Sequence, residues 1–409
     1  MHGLMLISAL RRARLSAGLV LLTVLSGCRD STVLHVALYP YIPDAASDGY
    51  RGLLARIESE FETQHPEVDV RLAPPDPTSG AFYDFDSLRM MLTAEPGAGG
   101  FDLVEVDAAL LGELIDSQLV RAWTTPPGRS DWHPAALQAV TIQGQSYGVP
   151  HWLCSHFMFS RERAMVEAVS AEQLATALRN ATPSTPGMAG KFAGNWDLTA
   201  LYLDAWVDTY GGGSLDSVLP PADSSVIRSL RAVVRECRTG TSNPCLAGGR
   251  FGASAEAAAE AFADGHVDAF IGFSEHLHAM LRRAGRDSSI KLSLAPLGAG
   301  KRPIVFVDAL VLRRGCDAVC EAAAGAFAAY LNQPETQEWI TMAQDGGPRA
   351  IPRYLMPATL SAYQQPSLKA DRYYPEIFSA SRKAIPYPIR GLVWNWTEAR
   401  LRLDSLLAR

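Results

Sequence analysis

The chain has 409 residues with a formal net charge of −6, and 48% of its residues are hydrophobic. After the first thirty residues no basic run exceeds two residues, which argues against nucleic acid or an anionic membrane surface as a partner. That length suffices for two or three domains with a large buried core.

The N-terminus reads as an address. Arg11, Arg12 and Arg14 precede an apolar run from Leu15 to Leu25. At about eleven residues the run is too short to span a bilayer. It ends in Leu25-Ser26-Gly27-Cys28, which resembles a bacterial lipobox, so Cys28 is expected to carry lipid and to begin the mature chain; an ordinary cleaved signal peptide is the alternative. The mature protein is then exported and anchored on the periplasmic side or cell surface, in an oxidising compartment where disulfides persist.

Val33 to Leu38 reads as a strand. Leu53, Leu54, Ile57 and Phe61 recur at helical spacing over 49–65, and Pro66 closes that helix. Val68–Leu72 is a second strand, 73–100 a loop rich in Pro, Gly, Asp and Ser, Leu103–Val106 a third strand and Ala108–Asp116 a helix. This order predicts a parallel α/β sheet. Trp152–Phe159 reads as one buried strand, followed by helices around 170–180, 197–210, 226–237 and 254–264. Asp268–Ile271 and Ile304–Leu312 return to strand; 316–331, 334–344 and most of the tail read as helix. Strands at both ends of a helix-rich middle predict two α/β lobes, with a ligand cleft near strand C-termini. The expected partition is 1–28 as signal, 33–148 plus about 270–313 as one lobe, and 149–269 plus about 314–409 as the other.

Of the six cysteines, Cys237 and Cys245 bracket a turn-rich loop and Cys316 and Cys320 sit at i and i+4. Both spacings permit a disulfide. A lone Cys-x-x-x-Cys is a poor zinc signature, and no metal is expected. Cys154 is left over in Tyr147-Gly-Val-Pro-His-Trp-Leu-Cys154. An unpaired thiol in an exported protein is oxidised, buried or used. His151 and His156 beside it raise a metal site or a Cys–His nucleophile pair as alternatives. On one continuous strand, 154 and 156 would share a face.

Phe270-Ile-Gly-Phe-Ser-Glu275 reads as a strand running into a helix start, with Ser274 as N-cap and Glu275 in the first turn. A carboxylate at such a strand end can also serve as a general base. Asp107 and Asp308 likewise close apolar strand runs, as helix caps or as acceptors for a ligand amino group. Tyr39 and Tyr41, interleaved with Pro40 and Pro43, form a rigid aromatic loop after the first strand.

Taken in order, these segments resemble bacterial thiaminase I (thiamine pyridinylase), a family with the two-lobed fold of periplasmic solute-binding proteins. Tyr-Gly-Val-Pro alone is weak, since solute-binding proteins commonly carry it. The cysteine after it, the Phe-Ile-Gly-x-Ser-Glu segment and the two strand-end aspartates carry the likeness. The resemblance implies an α/β, type II periplasmic-binding-protein-like fold and a transferase that replaces the thiazole of thiamine by an amine or thiol. It implies Cys154 as nucleophile, Glu275 as base, Asp107 and Asp308 as holders of the aminopyrimidine, and Tyr39 packing against it. Phe273 and Phe306 stand where the family often has tyrosine, which keeps a stacking surface and removes two hydroxyls. No cofactor is implied; the partners are thiamine and a second small nucleophile, on a monomer. A lipid-anchored binding protein that delivers thiamine or a related pyrimidine to an importer is the runner-up.

Overall fold

The computed structural model describes residues 31–38, 42–73, 82, 84–181, 186–212, 222–287, 289–390 and 392–408. These described residues form one compact unit. The expected roles of Cys28 and Tyr39 fall outside the described residues.

In chain order the strands are β1 (Thr32–Ala37), β2 (Val68–Ala73), β3 (Leu103–Asp107), β4 (Val120–Arg121), β5 (Thr141–Ile142), β6 (Gln145–Ser146), β7 (Val149–Cys154), β8 (His156–Ser160), β9 (Met188–Gly190), β10 (Ala269–Phe273), β11 (Lys291–Leu294), β12 (Ile304–Arg313), β13 (Met356–Pro357) and β14 (Ile385–Pro386). The larger sheet runs β13-β7-β12-β3-β1-β2, with β4 and β14 also on β12. The smaller runs β11-β8-β10-β9, and β5 with β6 forms a separate ribbon.

The first βαβ unit follows the expected physics. Leu53, Ile57 and Phe61 bury one face of the helix Arg51–Gln64, and β1 pairs in parallel with β2 and β3. Beyond it both sheets are mixed, because β12 runs antiparallel to β3 and β7, and β8 antiparallel to β10 and β11. The stretch 73–100 is not all loop: Phe85–Thr93 is helical. Asp84 caps it by accepting from Ser87 N, and Leu88 and Leu92 anchor it in the core. The tail is helical only in part, since β13 and β14 return to the larger sheet.

The segment read as a single strand, 152–159, is two. The strand is interrupted at Ser155, whose hydroxyl donates to Ile304 O at 2.9 Å, and β7 and β8 enter different sheets. Hydrophobicity could not reveal this break, because Trp152, Leu153, Phe157, Met158 and Phe159 are all buried. β7 joins the larger sheet, while β10 and β11 join the smaller.

Pro150 is tolerated inside β7 because the register shifts at a bulge, where Asp308 pairs with Trp152 and Ala309 with Pro150, passing over His151. Gly148 permits that approach, since a Cβ there would lie 2.8 Å from Ala309 Cβ.

Both expected disulfides are present, Cys237–Cys245 and Cys316–Cys320, with Cα separations of 6.1 and 5.3 Å. Among the described cysteines, Cys154 alone is free.

Candidate active site

The larger sheet places four of the predicted residues on one face. Across β12, Phe306 stands opposite Cys154 and Asp308 opposite Asp107. Directly opposed residues share a face, and so do residues two apart on a strand. Cys154, Phe306, Asp308 and Asp107 therefore project together from the C-terminal ends of β3 and β7 and the first half of β12. Glu105, two residues before Asp107, is on this face too.

Glu275 arrives from the other sheet. It follows β10 by two residues, at the N-cap position of the helix His276–Arg283. Gly272 makes the turn compact, because a Cβ there would fall 2.4 Å from the Phe270 ring. The expected Ser274 cap is not formed: the helix begins at His276 without a side-chain cap, and Phe273 N donates to His276 Nδ1 at 3.0 Å instead. The Phe273 and Phe306 rings meet edge to face at 6.2 Å, which brings the Glu275 segment against the strand opposite Cys154.

The site is rich in buried acid. Burial pushes the Cys154 thiol well up, and the charges of Glu275, Asp308, Asp107 and Glu105 push it further. Burial also raises Glu275, against the charges of His276 and His156. Asp107 is pushed up to about 7 by burial, although it accepts from Ala109 N at 2.8 Å and so also caps the turn Ala108–Leu110. Asp308 is raised well above the carboxylate range by burial and by facing Asp107, Glu105 and Glu275. This arrangement holds a protonated thiol at neutral pH, beside carboxyls that burial makes harder to ionise. It can donate and accept hydrogen bonds side by side, and the thiol needs a base to react.

The histidines do not serve the thiol. His151 Nδ1 pairs with Glu105 at 2.7 Å, and His156 Nδ1 with Asp204 Oδ2 at 2.5 Å. Both Nδ1 atoms are thus committed to carboxylates and not to Cys154. Among the described residues, no group of three or more His, Cys, Asp or Glu side chains is placed to hold a metal ion. Asp204 and Tyr387, unnoticed in the sequence, lie behind Phe273 and Phe306. Asp204 sits mid-helix and Tyr387 follows a two-residue strand, so neither carries a local signal.

The chain matches the bacterial extracellular solute-binding protein family over residues 59–375. It belongs to that family. In sequence this solute-binding-family chain is similar to Thiaminase-1 of Paenibacillus thiaminolyticus, 26% identical over 362 residues that span 83% of this chain and 79% of that protein. Its fold is that of thiaminase I from Bacillus thiaminolyticus (TM-score 0.72, 22% identity, 92% of this chain and 99% of that one). It also matches Clostridium botulinum thiaminase I in complex with thiamin (TM-score 0.71, 18% identity, 92% and 100%). The GacH receptor of Streptomyces glaucescens is similar as well (TM-score 0.67, 18% identity, 92% and 93%).

Proposed function

We propose that this protein is a thiamine-degrading enzyme of the thiaminase I type, acting through a covalent cysteine–pyrimidine intermediate. The observation that carries the reading is the half-buried free thiol of Cys154, set on one sheet face with Asp107 and Asp308 and within the electrostatic reach of Glu275. A protein that merely binds its ligand has no use for that pairing. The likeness to Thiaminase-1 supports it.

In this reading Glu275 takes the thiol proton as Cys154 sulfur adds to the pyrimidine ring of thiamine. The bond from the bridging carbon to the thiazole nitrogen then breaks, and the thiazole leaves with its electron pair. Glu275 passes the thiol proton to solvent as the thiazole departs. A second nucleophile, an amine or a thiol, adds at that carbon and loses its proton to the regenerated Glu275 carboxylate. Cys154 is expelled last and takes that proton back from Glu275. Asp107 and Asp308 orient the ring: an ionised carboxylate accepts from the 4-amino group, and a protonated one donates to a ring nitrogen. Phe273 and Phe306 give the ring an apolar wall, and Tyr39 is placed beside it by the family resemblance alone. Incubation with thiamine and pyridine, followed by assay of thiamine loss and thiazole release, tests the proposal; intact thiamine after exhaustive incubation would sink it.

The second reading, a binding lipoprotein of an importer, is favoured by the solute-binding family match and by the lipobox. Both readings share the export signal. Cys28 is expected to take up labelled fatty acid in growing cells, and a mature protein that starts elsewhere and carries no label refutes the anchor.

Asp107→Asn and Asp308→Asn are expected to weaken thiamine binding about tenfold or more, as loss of a buried charged hydrogen bond does. Asp107→Asn also has a stability signature. A carboxyl raised to about 7 from 3.8 keeps its proton in the folded state after the unfolded chain has lost it. The folded state then binds more protons, so this group makes stability fall as pH rises from about 4 to about 7. The asparagine variant should show a shallower fall in melting temperature over that window. Unchanged affinity and an unchanged slope would leave Asp107 as a turn cap only.

A further inference from the structure

Behind the two phenylalanines lies a buried group that the reaction as described does not use. Asp204, His156 and Tyr387 are 6%, 6% and 4% exposed. A carboxylate only accepts, so His156 Nδ1 donates to Asp204 Oδ2 and the Tyr387 hydroxyl donates to Asp204 Oδ1. Each arm ends on a ring of the candidate site. His156 stacks on Phe273 with centroids 4.4 Å apart, and Tyr387 stacks on Phe306 at 3.8 Å and 12° between planes. Phe273 and Phe306 close the circuit by meeting edge to face.

The two arms belong to different sheets. His156 and Phe273 are register partners on β8 and β10. Tyr387 directly follows β14, and its N–H donates to Val305 O on β12 at 3.0 Å. Asp204, from the helix Asn195–Tyr210, is thus a single carboxylate tying both.

We propose that Asp204 is a positioning residue for the Cys154–Glu275 pair, holding Phe273 and Phe306, and the strand ends behind the base and the thiol, in one arrangement through His156 and Tyr387. Phe306 is the register partner of Cys154, and Glu275 follows Phe273 by two residues, so a shift of either ring moves a reacting group. The inference rests on reading Cys154 as nucleophile and Glu275 as base.

Charge acts in the same direction. The groups facing Cys154 are Glu275, Asp308, Asp107 and Glu105; those facing Glu275 are His276 and His156; those facing Tyr387 are Asp204, Asp107 and Asp208. Among them only the histidines oppose the negative charge. Asp204 holds His156 where its charge lowers the Glu275 carboxyl, the base that takes the thiol proton.

The test is alkylation of Cys154 by iodoacetamide against pH in the full chain, for wild type, Asp204→Asn and Tyr387→Phe. Thiamine-cleavage kcat and KM and the melting temperature are measured alongside. Asp204→Asn is expected to slow alkylation about tenfold at pH 7 and to move its profile up by about one pH unit, the two being equivalent on the acid limb; kcat falls in parallel while KM holds. Tyr387→Phe keeps the ring and loses one arm, so alkylation and kcat fall about threefold with the profile in place. If Asp204→Asn does not fold, Tyr387→Phe carries the test. A wild-type alkylation rate and profile in the variant that folds, even with a lowered melting temperature, overturns the inference and leaves a structural cluster. Alkylation needs no thiamine, so a protein inert toward thiamine but with Asp204-dependent alkylation refutes the proposed function alone.

Discussion

Cys154→Ser is expected to abolish thiamine cleavage while the protein still folds and binds thiamine. Serine fills nearly the same space, so the β7–β12 pairing opposite Phe306 is retained. The chemistry is not retained. Even as a thiol, Cys154 is held well above its ordinary range by burial and by four carboxyl groups around it. An alcohol is far harder to ionise than a thiol, and the same surroundings penalise an alkoxide more heavily. Cleavage should fall to the background rate, with thiamine affinity changed by no more than a few-fold. Wild type given thiamine without an acceptor should gain the mass of the pyrimidinylmethyl group, and peptide mapping should place it on Cys154. Tight binding with no adduct and no cleavage under any acceptor would remove the enzyme reading and leave the binding lipoprotein.

Glu275→Gln should lower the cleavage rate about 10²–10⁴-fold, the usual contribution of a positioned general base, with little change in affinity. Glutamine keeps the shape at the helix start and removes the proton acceptor. The pH dependence separates this from a packing defect. The base must be ionised to act, and burial raises its carboxyl, so the wild-type rate should climb with pH through a value above the usual carboxylate range. That acid limb should vanish in the glutamine variant, because it has no carboxyl there to titrate. A fall in rate that preserves the limb would assign the base to another carboxyl on the same face, with Asp308 the first to test.

The candidate site was partly legible in the sequence because its residues sit at the ends of short apolar runs. Val-Glu-Val-Asp107 and Val-Phe-Val-Asp308 end or interrupt strand patterns with a carboxylate, and such a break in an otherwise buried run is visible without neighbours. Cys154 was visible by subtraction, since the other four described cysteines pair at short spacing and short loops close easily. Asp204 and Tyr387 were not legible. One lies on an ordinary helix and the other follows a two-residue strand, and only the docking of both sheets brings them to a shared point.

Local chemistry by itself determined the first βαβ unit, most helix positions and both disulfides, because periodicity, caps and cysteine spacing act over fewer than about fifteen residues. The tertiary structure decided where the chain changes sheets. The run from Trp152 to Phe159 is buried apart from the half-buried Cys154, so hydrophobicity is the same whether the strand continues or breaks at Ser155. The break is selected by long-range pairing: β7 finds β12 across some 150 residues of chain, and β8 finds β10 and β11. That choice puts His156 and Cys154 in different sheets, gives the histidine to Asp204, and brings Glu275 toward the thiol from the opposite sheet. Which side chains meet in the site is a property of strand pairing between distant segments, and no local pattern encodes it.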